Sequence, residues 1–216
     1  MSIVIDNVFR MRVPEVRASG SGGVVALTLD DGPHVETTAG VLDLLAEHAV
    51  PATFCLVGEN VRQPGAAALV RRMVAEDHVL ANHAMTYADL GGWPPAEIEA
   101  DLRATTQAIR AAAGDPGVPV PFFRAPNGSW GVSAAVAQGL GMRPLGVVHT
   151  INDWCTQDVE TLVANLHAAL TPGELLLAHD GGGDRRGTLA ALRMVLPVWL
   201  AEGWRFTRPV GWDAAH

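Results

Sequence analysis

Two hydrophobic rhythms alternate along the chain. Val24-Val25-Ala26-Leu27-Thr28-Leu29 is a continuous, partly β-branched apolar run that stops at Asp30-Asp31-Gly32-Pro33. A run of that kind predicts a strand buried on both faces, as in a parallel sheet, leading into a loop. Residues 38–48 then carry Val41, Leu42, Leu44 and Leu45 at helical spacing, and residues 51–57 predict the next strand. The unit recurs: strands are expected at 79–81, 121–123, 145–148, 174–178 and 205–207, and helices at 66–76, 95–113, 133–140, 159–170 and 188–202. About seven such units predict a barrel-like or doubly wound parallel sheet with right-handed crossovers. Residues 1–20 fall outside the pattern and form an N-terminal extension, an added edge strand or a dimer contact. Residues 21–216 form one domain.

Composition narrows the function. A chain of 216 residues with 49% hydrophobic and 18% charged content can bury one good-sized core. The formal net charge of −8 argues against the clustered basic surface that nucleic-acid binding requires. Cys55 and Cys155 are far apart and lack CxxC spacing, so buried thiols are expected rather than a disulfide framework or a structural zinc. Asp6, Arg10, Arg12, Glu15 and Arg17 interrupt the N-terminus before any apolar run reaches the length of a signal peptide or membrane span. A cytoplasmic protein with a small-molecule substrate and no membrane partner is the expectation, and the oligomeric state is left open.

In parallel α/β folds, sites are built at the carboxyl ends of strands. The predicted strands end in Asp30-Asp31, Asn82-His83, Arg124, residues 150–154 and His179-Asp180. Side chains alternate along a strand, so Asp30 and Asp31 are expected to point apart and take different roles, one as a base and one on a metal. The alternative is that both simply set the turn before Gly32-Pro33. His83 is a candidate metal ligand, and its partner at i+4 on a helical turn would be Tyr87, while a hydrogen-bonded core histidine is the plainer reading. His179 suits a general acid or, equally, a capping role. Arg124, flanked by apolar residues, is expected to hold the Asp30 carboxylate in a fork of hydrogen bonds. Gly181-Gly182-Gly183 reads as a flexible turn, since no P-loop lysine follows it. Met85, Tyr87, Trp93, Asn127 and Trp130 are expected to form an apolar, aromatic pocket rim.

The ordered succession LTLDDGPH (27–34), NHAMTYADL (82–90), FFRAPNGSW (122–130), INDW (151–154) and LLLAHD (175–180) resembles the five motifs of the polysaccharide deacetylases of the NodB-homology type, carbohydrate esterase family 4. The resemblance runs from about residue 24 to residue 209. It implies a distorted (β/α)7 barrel that hydrolyses an N- or O-acetyl group with the help of a divalent metal, zinc or similar. Under it, Asp30 is the general base, Asp31 and His83 are metal ligands, Arg124 orients the base and His179 is the general acid. Trp154 and Leu177 line the pocket for the acetyl methyl group, with Tyr87 and Asn127 facing substrate. Three positions depart from the family pattern. Tyr87 replaces a second histidine ligand, a position that Asp89 could take over. Asn127 stands for a tyrosine, its backbone N–H still able to serve an oxyanion, and Thr150 stands for an acidic residue. Two further readings follow from these departures: metal-free acid–base chemistry (isomerisation, elimination or cyclisation) on a biosynthetic intermediate, and a catalytically dead binding module.

Overall fold

The computed structural model describes residues 3–5, 12–14 and 16–212. Two short strands, β1 (Ile3–Ile5) and β2 (Arg12–Pro14), pair antiparallel with each other. Among the described residues of the 1–20 segment, β1 and β2 form a sheet of their own rather than an edge strand of the main sheet; residues 1, 2, 6–11 and 15 lie outside the described residues. Val16 and Ala18 are buried against the main sheet, and the Ala18 N–H donates to the Gly173 carbonyl at 3.0 Å.

The main sheet comprises β3 (Val24–Gly32), β4 (Ala52–Leu56), β5 (Val79–Asn82), β6 (Phe122–Phe123), β7 (Arg143–Pro144), β8 (His149–Thr150), β9 (Leu175–His179) and β10 (Arg205–Phe206). Its order is β7-β6-β5-β4-β3-β9-β8, parallel throughout, with β10 added to the first two residues of β3. The chain itself forces this sheet to curl. β7 and β8 occupy opposite ends of the order, and a flat path of that many strands would hold them about 29 Å apart. From Pro144 to His149 the backbone can reach at most about 18 Å. The sheet therefore bends into the half-barrel of a distorted (β/α)7 barrel, with α1 (Val35–Glu47), α2 (Gly58–Val61), α3 (Ala66–Ala75), α4 (Pro95–Ala113), α5 (Ser133–Gly139), α6 (Val159–Ala169) and α7 (Arg186–Ala201) between its strands.

The strand expected at 145–148 is corrected here: those residues carry the chain from β7 to β8, and the apolar pattern reflected burial of Leu145 in the barrel interior. Cys55 is buried as expected, whereas Cys155 is exposed, because it lies in the turn after β8. No described helix is long and apolar enough to cross a membrane.

Alternation along β3 separates two cores. Val25, Leu27 and Leu29 face outward into the cluster shared with the helices, with Leu42 and Leu45 of α1 and Val195 and Trp199 of α7. Val24 and Ala26 face inward with Cys55, Val79, Ala81, Phe122 and Leu175, and these fill the barrel interior. The small residues Ala26 and Ala81 suit this narrow space. Thr28 and Asp30 continue the inward face toward the carboxyl end, which is how one strand places a buried acid at the barrel mouth.

At the opposite end of β5, His78 is 5% exposed, accepts a hydrogen bond from the Ala52 N–H at 3.1 Å, and stacks edge-on against Phe54. Burial pushes its pKa down to about 4 from the ordinary 6.5. The unfolded imidazole takes up a proton below pH 6.5, while the folded one resists until about pH 4. Stability is therefore complete above pH 6.5 and is lost on acidification toward pH 4, by about 3 kcal/mol at 1.4 kcal/mol per unit. Urea unfolding of the wild type and His78→Gln at pH 7 and pH 4.5 checks this. The difference between the two proteins should shrink at the lower pH.

Candidate active site

The inward face of β3 ends at Asp30, 3% exposed, and the ladder to β4 then slips by one residue between Asp30 and Gly32. Asp31 sits in that bulge with φ of 72°, a left-handed conformation that aspartate tolerates better than most residues. The expectation that the two aspartates point apart is corrected. The bulge breaks the alternation and turns Asp31 back toward the mouth, where both line one cavity of 1260 Å³. Gly181 and Gly182 allow this, since a Cβ on either would collide with Asp31. The glycine run is thus a close-approach site rather than merely a flexible turn.

His83, 3% exposed, follows β5 and fixes its own tautomer. Its Nδ1 lies 2.8 Å from the Arg124 carbonyl, which can only accept, so Nδ1 carries a hydrogen and Nε2 is the nitrogen left to face the aspartates. Nε2 is 3.4 Å from Asp31 Oδ1 and 3.8 Å from Asp30 Oδ2. Residues 83–87 are irregular, with bends at 85–87, rather than the expected helical turn, and Ala84 has φ of 60°.

Arg124 reaches Asp30 Oδ1 through Nη1 at 2.6 Å. The expected fork is not formed. The same Nη1 donates to Thr28 Oγ1 at 2.9 Å, Nε donates to the Leu145 carbonyl at 2.8 Å, and Nη2 has no partner among the described residues. Thr150 Oγ1 accepts from the Asn152 N–H at 3.3 Å, and the guanidinium is held by Asp30, Thr28 and the Leu145 carbonyl. Burial raises the Asp30 pKa, but Arg124, His83, His179 and a hydrogen bond from the Cys55 thiol together outweigh it and leave the carboxyl below its ordinary value.

His179 closes β9, the other neighbour of β3. Asp153, fully buried, accepts from His179 Nδ1 at 2.7 Å, from the His179 N–H at 2.9 Å and from Thr188 Oγ1 at 2.9 Å. The tautomer is set again, and Nε2 is the free ring nitrogen. Burial lowers the imidazole pKa, yet the Asp153 hydrogen bond and the charges of Asp30, Asp153 and Asp31 carry it above the ordinary value. From the sequence, Asp153 enters only as part of the INDW motif and carries no role. Its signal was the INDW motif, and its partner lies 26 residues away.

Leu177, Trp154, Tyr87, Asn127 and Trp130 line the same cavity. Trp154 is 52% exposed and meets His179 edge-on at 5.4 Å. Met85 and Trp93 do not belong to the rim as expected: Met85 packs against Gly58, and Trp93 joins the cluster between α4 and α5. Asp89 does not approach Asp31 but accepts from Asn127 Nδ2 at 2.9 Å. Asp180, fully buried behind the turn, accepts from Thr38 Oγ1 at 2.5 Å, and burial pushes its pKa up to about 7.

Asp31 and His83 suit a divalent cation in kind, offering a carboxylate oxygen and an imidazole lone pair whose other ring nitrogen is tied to a carbonyl. They are two ligands where a catalytic metal usually takes three. Among the described residues no group of three or more His, Cys, Asp or Glu is arranged around an ion.

A buried carboxylate held by an arginine, an imidazole held by a buried aspartate and an adjoining Asp–His pair thus meet at the mouth of a parallel barrel, an arrangement chemically suited to hydrolysis. Residues 17–145 match the family model described as polysaccharide deacetylase, and the chain belongs to that family. It is 40% identical to a chitooligosaccharide deacetylase of Bradyrhizobium over 83% of this chain and 86% of the relative. Among solved structures it is similar to a family 4 acetyl xylan esterase from Clostridium thermocellum in complex with a cobalt ion, with 32% identity, a TM-score of 0.77 and coverage of 86% and 87%. A mutant of a CE4 family pseudoenzyme from Bacillus anthracis, with restored enzymatic activity, superimposes with a TM-score of 0.77 at 25% identity, covering 88% of this chain and 67% of that one.

Proposed function

We propose that this protein removes the acetyl group from an N-acetylated sugar, with chitooligosaccharides as the first substrates to test. The observation that carries the reading is the pairing of Asp30 with Arg124 and of His179 with Asp153 on the two strands that flank one another in register, Asp30 opposite His179. Relatives named as chitooligosaccharide and peptidoglycan N-acetylglucosamine deacetylases support the substrate class. The retained Asp30–Arg124 and His179–Asp153 pairs and the relatives named as deacetylases support hydrolysis over the metal-free and binding-module readings.

In this reading Asp30 takes a proton from the water that attacks the acetyl carbonyl. Its low pKa keeps it ionised, and Arg124 holds it in place. The backbone N–H of Asn127, whose residue lines the cavity, serves the developing oxyanion. His179 then gives its Nε2 proton to the leaving amine, and the products are acetate and the free amino sugar. Asp153 stabilises the imidazolium and keeps it oriented, as a buried carboxylate does for a catalytic histidine. Leu177 and Trp154 shelter the acetyl methyl group.

Asp31 and His83 are the residues that would hold a divalent ion, with Tyr87 standing where the family pattern has a second histidine. Such an ion would polarise the carbonyl and make water more acidic. Zinc titration against a fluorescent competitor should show one site, weakened at least tenfold by Asp31→Ala and by His83→Ala. Acetate release from N-acetylglucosamine tetramer, with and without added Zn²⁺ or Co²⁺, tests the function itself. No release under any of these conditions would sink the deacetylase reading.

A further inference from the structure

We infer that the Tyr87 hydroxyl is a catalytic hydrogen-bond donor to the oxygen of the substrate that becomes negative as the acetyl carbonyl is attacked. The inference rests on the deacetylase reading and goes beyond the substrate contact expected of this residue. It starts from where the phenol's bonds go. Tyr87 Oη accepts a hydrogen bond from Asn60 Nδ2 at 2.7 Å, which uses a lone pair and leaves the O–H hydrogen to donate. Its O–H donates to the Asp31 carbonyl at 3.5 Å, well beyond the 2.5–3.0 Å of a good O–H···O bond, and that carbonyl also takes the shorter bond from Asn60 at 2.8 Å. The side chain is 42% exposed and lines the cavity shared with Asp30, Asp31 and His83. The O–H is therefore a donor held by one long bond at the edge of the reaction centre, free to turn to a better acceptor on the substrate.

Both ends of the residue are fixed. Asn127 Nδ2 donates to the Tyr87 carbonyl at 3.0 Å, and Asn60 ties the phenol to the backbone of Asp31. A donor pinned before substrate arrives costs little reorganisation, which is what makes oxyanion donors effective. The phenol offers a hydroxyl hydrogen where the family pattern has the ring nitrogen of a second histidine. The bond it accepts from Asn60 also polarises the hydroxyl toward donation. In a site with two metal-ligating residues where three are usual, this donor adds to the stabilisation that a cation alone supplies.

The test compares Tyr87→Phe with the wild type by acetate release, Zn²⁺ affinity and binding of two probes. One probe is N-acetylglucosamine tetramer. The other is a chitobiose whose acetyl group is replaced by a methylphosphonamidate, tetrahedral and anionic. Loss of one oxyanion donor typically costs 10²–10³-fold in turnover. We expect kcat to fall about 100-fold with KM and Zn²⁺ affinity within twofold. The phosphonamidate should bind about 100-fold more weakly and the tetramer nearly unchanged. A raised KM with unchanged kcat, equal weakening of both probes, or a tenfold loss of Zn²⁺ affinity would each overturn the proposal. If the wild type releases no acetate the hydrolase reading fails, but the contrast between the two probes still decides whether Tyr87 favours a tetrahedral oxyanion.

Discussion

Asp30→Asn is expected to lower kcat for acetate release by about 10³-fold, within the 10²–10⁴ range for a positioned general base, with KM changed less than threefold. The asparagine keeps an oxygen for Arg124 Nη1 and nearly the same volume inside a site where Asp30 is 3% exposed. What it loses is the basic lone pair and the negative charge. Cys55 and His83 stay in place beside it, so the variant should fold and its melting temperature should drop by only a few degrees. Steady-state kinetics with a thermal melt separates the two effects. Turnover within tenfold of the wild type would place the base elsewhere.

Arg124→Met is the largest expected stability change. The guanidinium is buried, bonded to Asp30, Thr28 and the Leu145 carbonyl, and its removal leaves the Asp30 carboxylate buried without its main counter-charge. Breaking such a pair from one side typically costs about 3–5 kcal/mol. Urea denaturation at pH 7 reads the loss. The double variant Asp30→Asn, Arg124→Met should be more stable than Arg124→Met alone, because no uncompensated charge remains. Additivity of the two changes would mean that Arg124 acts mainly through packing.

The sheet and its helices were legible because burial leaves a local record. Val24 to Leu29 is apolar on both faces since helices cover one side and the barrel filling the other, and the helical stretches carry their apolar positions at a matching period. The one misplaced strand shows where that record ends. Residues 145–148 are apolar and bridge the gap between β7 and β8, and periodicity over four residues does not separate a strand from a buried crossing segment. Asp30, His83, Arg124 and His179 stood out as polar residues ending apolar runs, and the order of their motifs tied them to one family.

Other features depend on geometry that no short window contains. The convergence of Asp31 with His83 follows from one bulge and from two glycines of a distant loop that make room for it. The tautomers of His83 and His179 are set by a carbonyl and a carboxylate far away in sequence. By itself, then, the sequence determined the parallel α/β architecture, the family and the cast of polar residues at the strand ends, because each is written in the chemistry of neighbouring positions. Only the tertiary structure decided that Asp30 and Asp31 face the same cavity, that Asp153 orients His179, and that the Tyr87 hydroxyl is left with a hydrogen to give. Those outcomes depend on backbone turns and partners brought together across the barrel, where direction and distance, rather than residue type, assign each group its role.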